Sequence, residues 1–83
     1  MAHIKIEDNF IHIETQNRMT EKVGRYHITT RINLDSIYGY TYDDVDVYIL
    51  LFLKYMTAPH RLQYFNRVDY DEAKKFIINE VKL

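Results

Sequence analysis

Apolar and charged residues alternate without interruption on either side of Asp8-Asn9, with Ile4 and Ile6 before it and Ile11 and Ile13 after it. Alternation sends every second side chain to one face of a strand, and two such runs joined by a polar dipeptide predict a β-hairpin over residues 3–13. With Asp8-Asn9 as the loop, Ile6 pairs with Ile11 and Ile4 with Ile13, so the four isoleucines share a face. Residues 16–22 break the period, with Met19 their single apolar member, and Gly24 precedes a new alternation at Tyr26, Ile28, Thr30, Ile32 and Leu34. Pairing Ile13 with Tyr26 and Ile11 with Ile28 gives a three-stranded antiparallel meander, apolar on one side and polar on the other.

Residues 35–40 contain Gly39 and read as a connector. Thr41-Tyr42-Asp43-Asp44 has the form of a helix start, with Thr41 as cap and acids in the first turn, and predicts a helix over about residues 42–56. Its middle, residues 47–53, is apolar all round, so one side covers the sheet and the other needs a second cover, from the C-terminal helix or from another subunit. The β-branched and aromatic content of that run also suits a buried strand. Thr57-Ala58-Pro59 ends the element, because the residue before a proline is pushed away from helical geometry. Residues 60–68 read equally as strand or helix. Asp69 then caps a terminal helix with Glu72 at the reciprocal position, and Ala73, Phe76, Ile77 and Val81 recur on one face. The expected architecture is one α+β domain over residues 1–83: an antiparallel sheet of three or four strands, opening with a β-meander, with two helices packed on one face.

Composition narrows the function classes. A chain of 83 residues has room for one core and buries only roughly two-thirds of the surface its unfolded form exposes. It has no cysteine, hence no disulfide, thiolate metal site or cysteine nucleophile, and a partner subunit is the natural extra source of burial. Eleven basic residues against twelve acidic ones give a net charge of −1, without the basic excess of a domain dominated by phosphate binding. The alternating N-terminus is unlike a secretory signal, and no apolar run approaches the roughly 18 residues of a membrane helix. The expectation is a soluble, cytoplasmic protein without a membrane partner. Heavy use of Ile, Lys, Asn, Tyr and Phe fits an AT-rich genome, a composition often carried by phages and other mobile elements, in which case the compartment is the host cytoplasm.

Candidate chemistry starts on the polar side of the meander. The proposed registers set His3 opposite Glu14 and His12 opposite His27, ligand types suited to zinc or nickel, although no helical HxxxH or HExxH spacing accompanies them. Asp43, Asp44 and Asp46, and later Asp71 with Glu72, are clusters of carboxylates that could hold Mg²⁺ in a shared cleft; at helix starts they complement the helix dipole. Ser36 is the one serine, with no nucleophile elbow around it, and Gly24 and Gly39 are isolated, so no phosphate loop is present. No cofactor and no enzymatic activity are expected.

Two binding surfaces compete. Arg25, His27 and Arg31, with Arg18, Lys22, His12 and Phe10 nearby, form a candidate nucleic-acid surface on the polar sheet face. Eight tyrosines, three of them at Tyr38, Tyr40 and Tyr42, supply broad rings with polar tips of the kind enriched at the centres of protein interfaces. The leading expectation is a protein-interaction module, a homodimer, that binds and inhibits or redirects a host protein through Arg18, Met19, Lys22, Tyr38, Tyr40 and Tyr42. A nucleic-acid-binding regulator is the alternative.

Overall fold

The computed structural model describes the backbone of residues 3–18 and 25–82 and the side chains of residues 4–14 and 30–82. Met19 and Lys22 lie outside these residues, and of Arg18, Arg25 and His27 only the backbone is described. Strands β1 (His3–Glu7) and β2 (Phe10–Arg18) form the expected hairpin, Ile4 opposite Ile13 and Ile6 opposite Ile11. Asp8 and Asn9 both have positive φ, 53° and 64°, the backbone that a two-residue hairpin of matching twist requires and that Asp and Asn tolerate.

Strand β3 (Arg25–Asn33) completes an antiparallel sheet in the order β1-β2-β3. Its register differs from the expected one by four residues: Ile11 faces Ile32 and Ile13 faces Thr30. The cause is that β2 continues through the polar residues Gln16, Asn17 and Arg18, which pair with His27, Tyr26 and Arg25. A shift of four preserves the faces, so Ile11, Ile13 and Ile32 are still buried together. It also separates the two histidines, because His12 now faces Arg31 while His27 faces Gln16. The expected pairing of His12 with His27 is thereby lost, while His3 stands opposite Glu14 as expected.

A single 3₁₀ turn (Leu34–Ser36) joins the halves of the chain. The Asn33 side chain caps it by accepting from the Asp35 N–H, and Asn9 Nδ2 donates to Asn33 Oδ1 at 3.3 Å and to Asp35 Oδ2 at 3.1 Å. The first hairpin's turn is thus tied to the connector.

The largest correction follows. The helix expected over residues 42–56 is a β-hairpin, β4 (Ile37–Asp43) and β5 (Tyr48–Leu53), extended by β6 (His60–Gln63) into a second antiparallel sheet of order β4-β5-β6. The described residues therefore form two three-stranded sheets and one helix, not one sheet under two helices. The acidic start that resembles a helix cap instead closes the hairpin loop: Asp43 Oδ1 accepts from the N–H groups of Val45 (2.8 Å) and Asp46 (2.9 Å). A carboxylate receiving N–H groups two and three residues on serves both kinds of turn, and here Val47, at φ 50°, turns the chain back. Along β5, Ile49, Leu51 and Leu53 are buried while Tyr48, Leu50 and Phe52 are half-buried, a strand period of two.

Residues 60–68 contain both expected elements in succession, β6 and then the start of α1 (Arg67–Glu80). The cap is Asn66 rather than Asp69; Asn66 Oδ1 accepts from the Asp69 N–H at 2.8 Å, and Asn66 Nδ2 donates to Asp69 Oδ2 at 3.0 Å. Asp69 sits in the first turn as the reciprocal partner. Tyr70, Ala73 and Ile77 line the buried face of α1, and Val81 continues it. They join Ile11, Ile13 and Ile32 of the first sheet and Ile49, Leu51, Leu53 and Leu62 of the second in one apolar cluster. Each large aliphatic side chain fully withdrawn from water there contributes about 1.5–3 kcal/mol before its entropy is counted. No helix of the described residues is long and apolar enough to cross a membrane.

Candidate interaction surface

Because β5 buries alternate residues, its other residues face outward, and the register fills in their neighbours. Leu50 stands between Thr41 on β4 and Arg61 on β6, Tyr48 between Asp43 and Gln63, and Phe52 opposite Gly39. A β-bulge between Ile37 and Gly39 alters this pattern at one end. The extra residue, Tyr38, leaves the ladder, is 58% exposed and lays its ring 6.1 Å from that of Phe52. The outer face of the second sheet thus carries a row of Tyr38, Phe52, Leu50 and Tyr48.

Arg61 is fixed at the edge of this row. Its guanidinium lies 3.9 Å above the centre of the Tyr48 ring, and its Nε and Nη2 donate to Gln63 Oε1 at 3.0 and 2.6 Å. Gln63 is itself held by donating through Nε2 to the carbonyls of Asp46 and Tyr64. Among the described residues no carboxylate pairs with Arg61. The result is a flat, pre-oriented cation on an aromatic ring.

The bulge also divides the expected tyrosine trio. Tyr38 faces outward, Tyr40 packs half-buried against the core, and Tyr42 stands exposed beneath Lys74, whose Nζ lies 4.2 Å from the centre of its ring. Tyr40 and Tyr42 pair with the buried Leu51 and Ile49, so they belong to the opposite side of the sheet from Phe52. Lys74 belongs to a latch between α1 and the β4–β5 loop: Asp44 Oδ1 accepts from Tyr70 Oη at 2.6 Å and from Lys74 Nζ at 2.9 Å, and Arg67 donates to the Asp44 carbonyl. These bonds, that from Tyr70 first, hold the Asp44 carboxyl below its ordinary range, and the Asp44 bond raises Lys74. Burial, with Asp44 adding to it, pushes the Tyr70 hydroxyl above the ordinary phenol range.

On the polar face of the first sheet, Lys5, His12 and Arg31 stand in one cross-strand row. Phe10, the ring proposed for base stacking, is already covered by Arg31, whose guanidinium carbon lies 4.2 Å from the ring centre. Glu7 offsets the positive row; it accepts from Lys5 Nζ at 3.2 Å, and that bond first, then the charges of Lys5, His12 and Arg31, lowers its pKa. Among the described residues no three His, Asp or Glu side chains converge as a metal site would need. Asp71 and Glu72 lie exposed on α1, and Ser36 serves the connector through its carbonyl, which accepts from the Lys54 N–H at 2.8 Å.

Sequence reasoning missed Tyr48, Leu50, Phe52, Arg61 and Gln63 as a group. The signal was available in the two-residue spacing of Arg61 and Gln63 around Leu62, which is a strand pattern. The chain matches no model of a known protein family, no curated protein and no solved structure.

Proposed function

We propose that this protein is a small protein-interaction module whose docking face is the outer face of the second sheet. The observation that carries the reading is Arg61, stacked on Tyr48 and fixed by Gln63, with no carboxylate paired to it among the described residues, beside the row Leu50, Phe52 and Tyr38. Aromatic residues and arginine are enriched at interface centres, where a rigid side chain loses little entropy on binding. The partner this face fits is a folded protein presenting apolar side chains around an acidic group that receives the Arg61 guanidinium. On composition alone we extend the reading to a phage or other mobile element, whose target is a host protein that binding inhibits or redirects.

The test is affinity capture from host lysate with and without nuclease, using the wild-type chain and a Tyr38→Ala, Leu50→Thr, Arg61→Ala variant. A protein retained after nuclease and lost with the variant supports the reading. Capture unaffected by the three substitutions overturns this face. Capture abolished by nuclease favours the basic row Lys5, His12 and Arg31 as a nucleic-acid surface, with affinity that falls steeply with salt.

A further inference from the structure

The two sheets present four edge strands: β1, β3, β4 and β6. An edge leaves backbone N–H and C=O groups unpaired, and proteins guard it with charge, proline, bulges or brevity. Lys5 sits at the centre of β1, Arg25 and Arg31 lie on β3, and β6 is only four residues long with Arg61 among them. β4 differs. Among the described residues it pairs with β5 alone, and residues 39–42, Gly-Tyr-Thr-Tyr, carry neither charge nor proline. The bulge at Tyr38 bounds this free edge on one side and the Asp43 turn bounds it on the other. What remains is residues 39–43, with Thr41 at their centre.

We infer that β4 pairs antiparallel with β4 of a second copy about a two-fold axis through Thr41, joining the two β4-β5-β6 sheets into one sheet of six strands. The sequence is self-complementary in this register. Tyr40 lies opposite Tyr42 of the second copy, twice over, Thr41 opposite Thr41, and Gly39 opposite Asp43, so no like charges meet. Cross-strand aromatic pairs of this kind are favourable. The pairing uses the whole free edge without overhang. An axis normal to the sheet keeps both cores on one side and makes the two outer faces, with their Arg61 and Tyr38 side chains, continuous on the other. Five residues a side make a small interface, so the dimer is weak and reversible, with a dissociation constant on the order of micromolar to tens of micromolar. The inference does not depend on the partner reading, since self-association is measured with no partner present.

The chain has no cysteine, so Thr41→Cys introduces a unique thiol on the proposed axis. Directly opposed residues of an antiparallel pair have Cα atoms roughly 4.5–5.5 Å apart, within disulfide reach. Under mild oxidation Thr41→Cys is expected to form a covalent dimer at least tenfold faster than Thr57→Cys, a control in the exposed β5–β6 loop. In parallel, light scattering of the wild type from about 1 μM to 1 mM should show mass rising from one chain toward two. Thr41→Lys, at an exposed position, should remain one chain throughout with an unchanged circular dichroism spectrum. Equal crosslinking rates for the two cysteine variants overturn the proposal. So does a wild-type mass of one chain at every concentration, or dimerisation that Thr41→Lys leaves intact.

Discussion

Ile49 and Leu50 are adjacent in sequence and alike in volume, and β5 gives them opposite fates. Ile49 is 1% exposed in the core, whereas Leu50 is half-buried on the outer face. Replacing Ile49 with Val deletes one buried methylene, worth about 0.8 kcal/mol by transfer, and a small cavity term brings the expected loss to about 1 kcal/mol. Replacing Leu50 with Val deletes one methylene at a position that water partly reaches, and valine suits a strand, so the cost should stay within about 0.5 kcal/mol. Urea unfolding followed by circular dichroism separates the two: with a slope of roughly 1 kcal/mol/M for so small a domain, the midpoint should fall by about 1 M for Ile49→Val and by under about 0.5 M for Leu50→Val. The melting temperature of Ile49→Val should drop by about 4–8 °C. Leu51→Ala, at a residue with 0% exposure, should cost about 2–5 kcal/mol, enough to leave a marginal domain largely unfolded. A Leu50→Val loss equal to or greater than that of Ile49→Val would refute the two-faced strand. Successive positions of a buried helix would be expected to suffer alike, so the pair also distinguishes the strand from the helix expected over residues 42–56.

Three further outcomes follow from the geometry. The depressed pKa values of Asp43, Asp44 and Glu7, and of His60 through burial, each add stability above the unfolded pKa that is lost as pH falls through the folded one. Urea midpoints should therefore decline gently below about pH 6.5 and more steeply below about pH 4, with His60→Asn flattening the first step and Asp44→Asn reducing the second. Burial of the Tyr64 and Tyr70 hydroxyls raises both beyond the ordinary phenol range, so ultraviolet titration should leave at least two of the eight tyrosines un-ionised until alkaline unfolding; complete titration near pH 10 in a still-folded protein would contradict this. Asn66→Ala should cost about 1 kcal/mol in thermal or urea unfolding through loss of the α1 cap, and a negligible change would return the cap to Asp69.

What could be read from the sequence follows a physical divide. The first hairpin was legible because alternation, an Asp-Asn turn and the isoleucine face all specify one register. The β2–β3 register was not: Gln16, Asn17 and Arg18 have no apolar period, yet backbone pairing extends a strand whatever its side chains. Two features make residues 42–56 read as a helix, although the apolar run also suits the buried strand that β5 forms. A strand that is apolar on both faces, as β5 is with Leu50 and Phe52 outside and Ile49, Leu51 and Leu53 in the core, has the same unbroken apolar run as a buried helix, and Asp43 presents the same carboxylate to a hairpin loop as to a helix start. The even spacing of Tyr38, Tyr40 and Tyr42 suggested one surface, but an extra residue in the ladder breaks the rule that even spacing means a common face. The outer-face group is hidden in the sequence because its members come from three strands, of which β4 reads as a connector and helix start while β5 and β6 read as strands only as one of two alternatives.

Each strand pairs only with its neighbour in sequence, and the two sheets exchange none. Hairpins of this kind close in about 1–10 μs without waiting for distant parts of the chain. Bringing the two sheets together is the step that needs contacts distant in sequence, since Ile11, Ile13 and Ile32 share one buried cluster with Ile49, Leu51, Leu62 and the buried face of α1. Loop length within either half can drift without entangling the other. The span where drift is least tolerable is the 3₁₀ turn, whose Asn9, Asn33 and Asp35 contacts set how the halves meet.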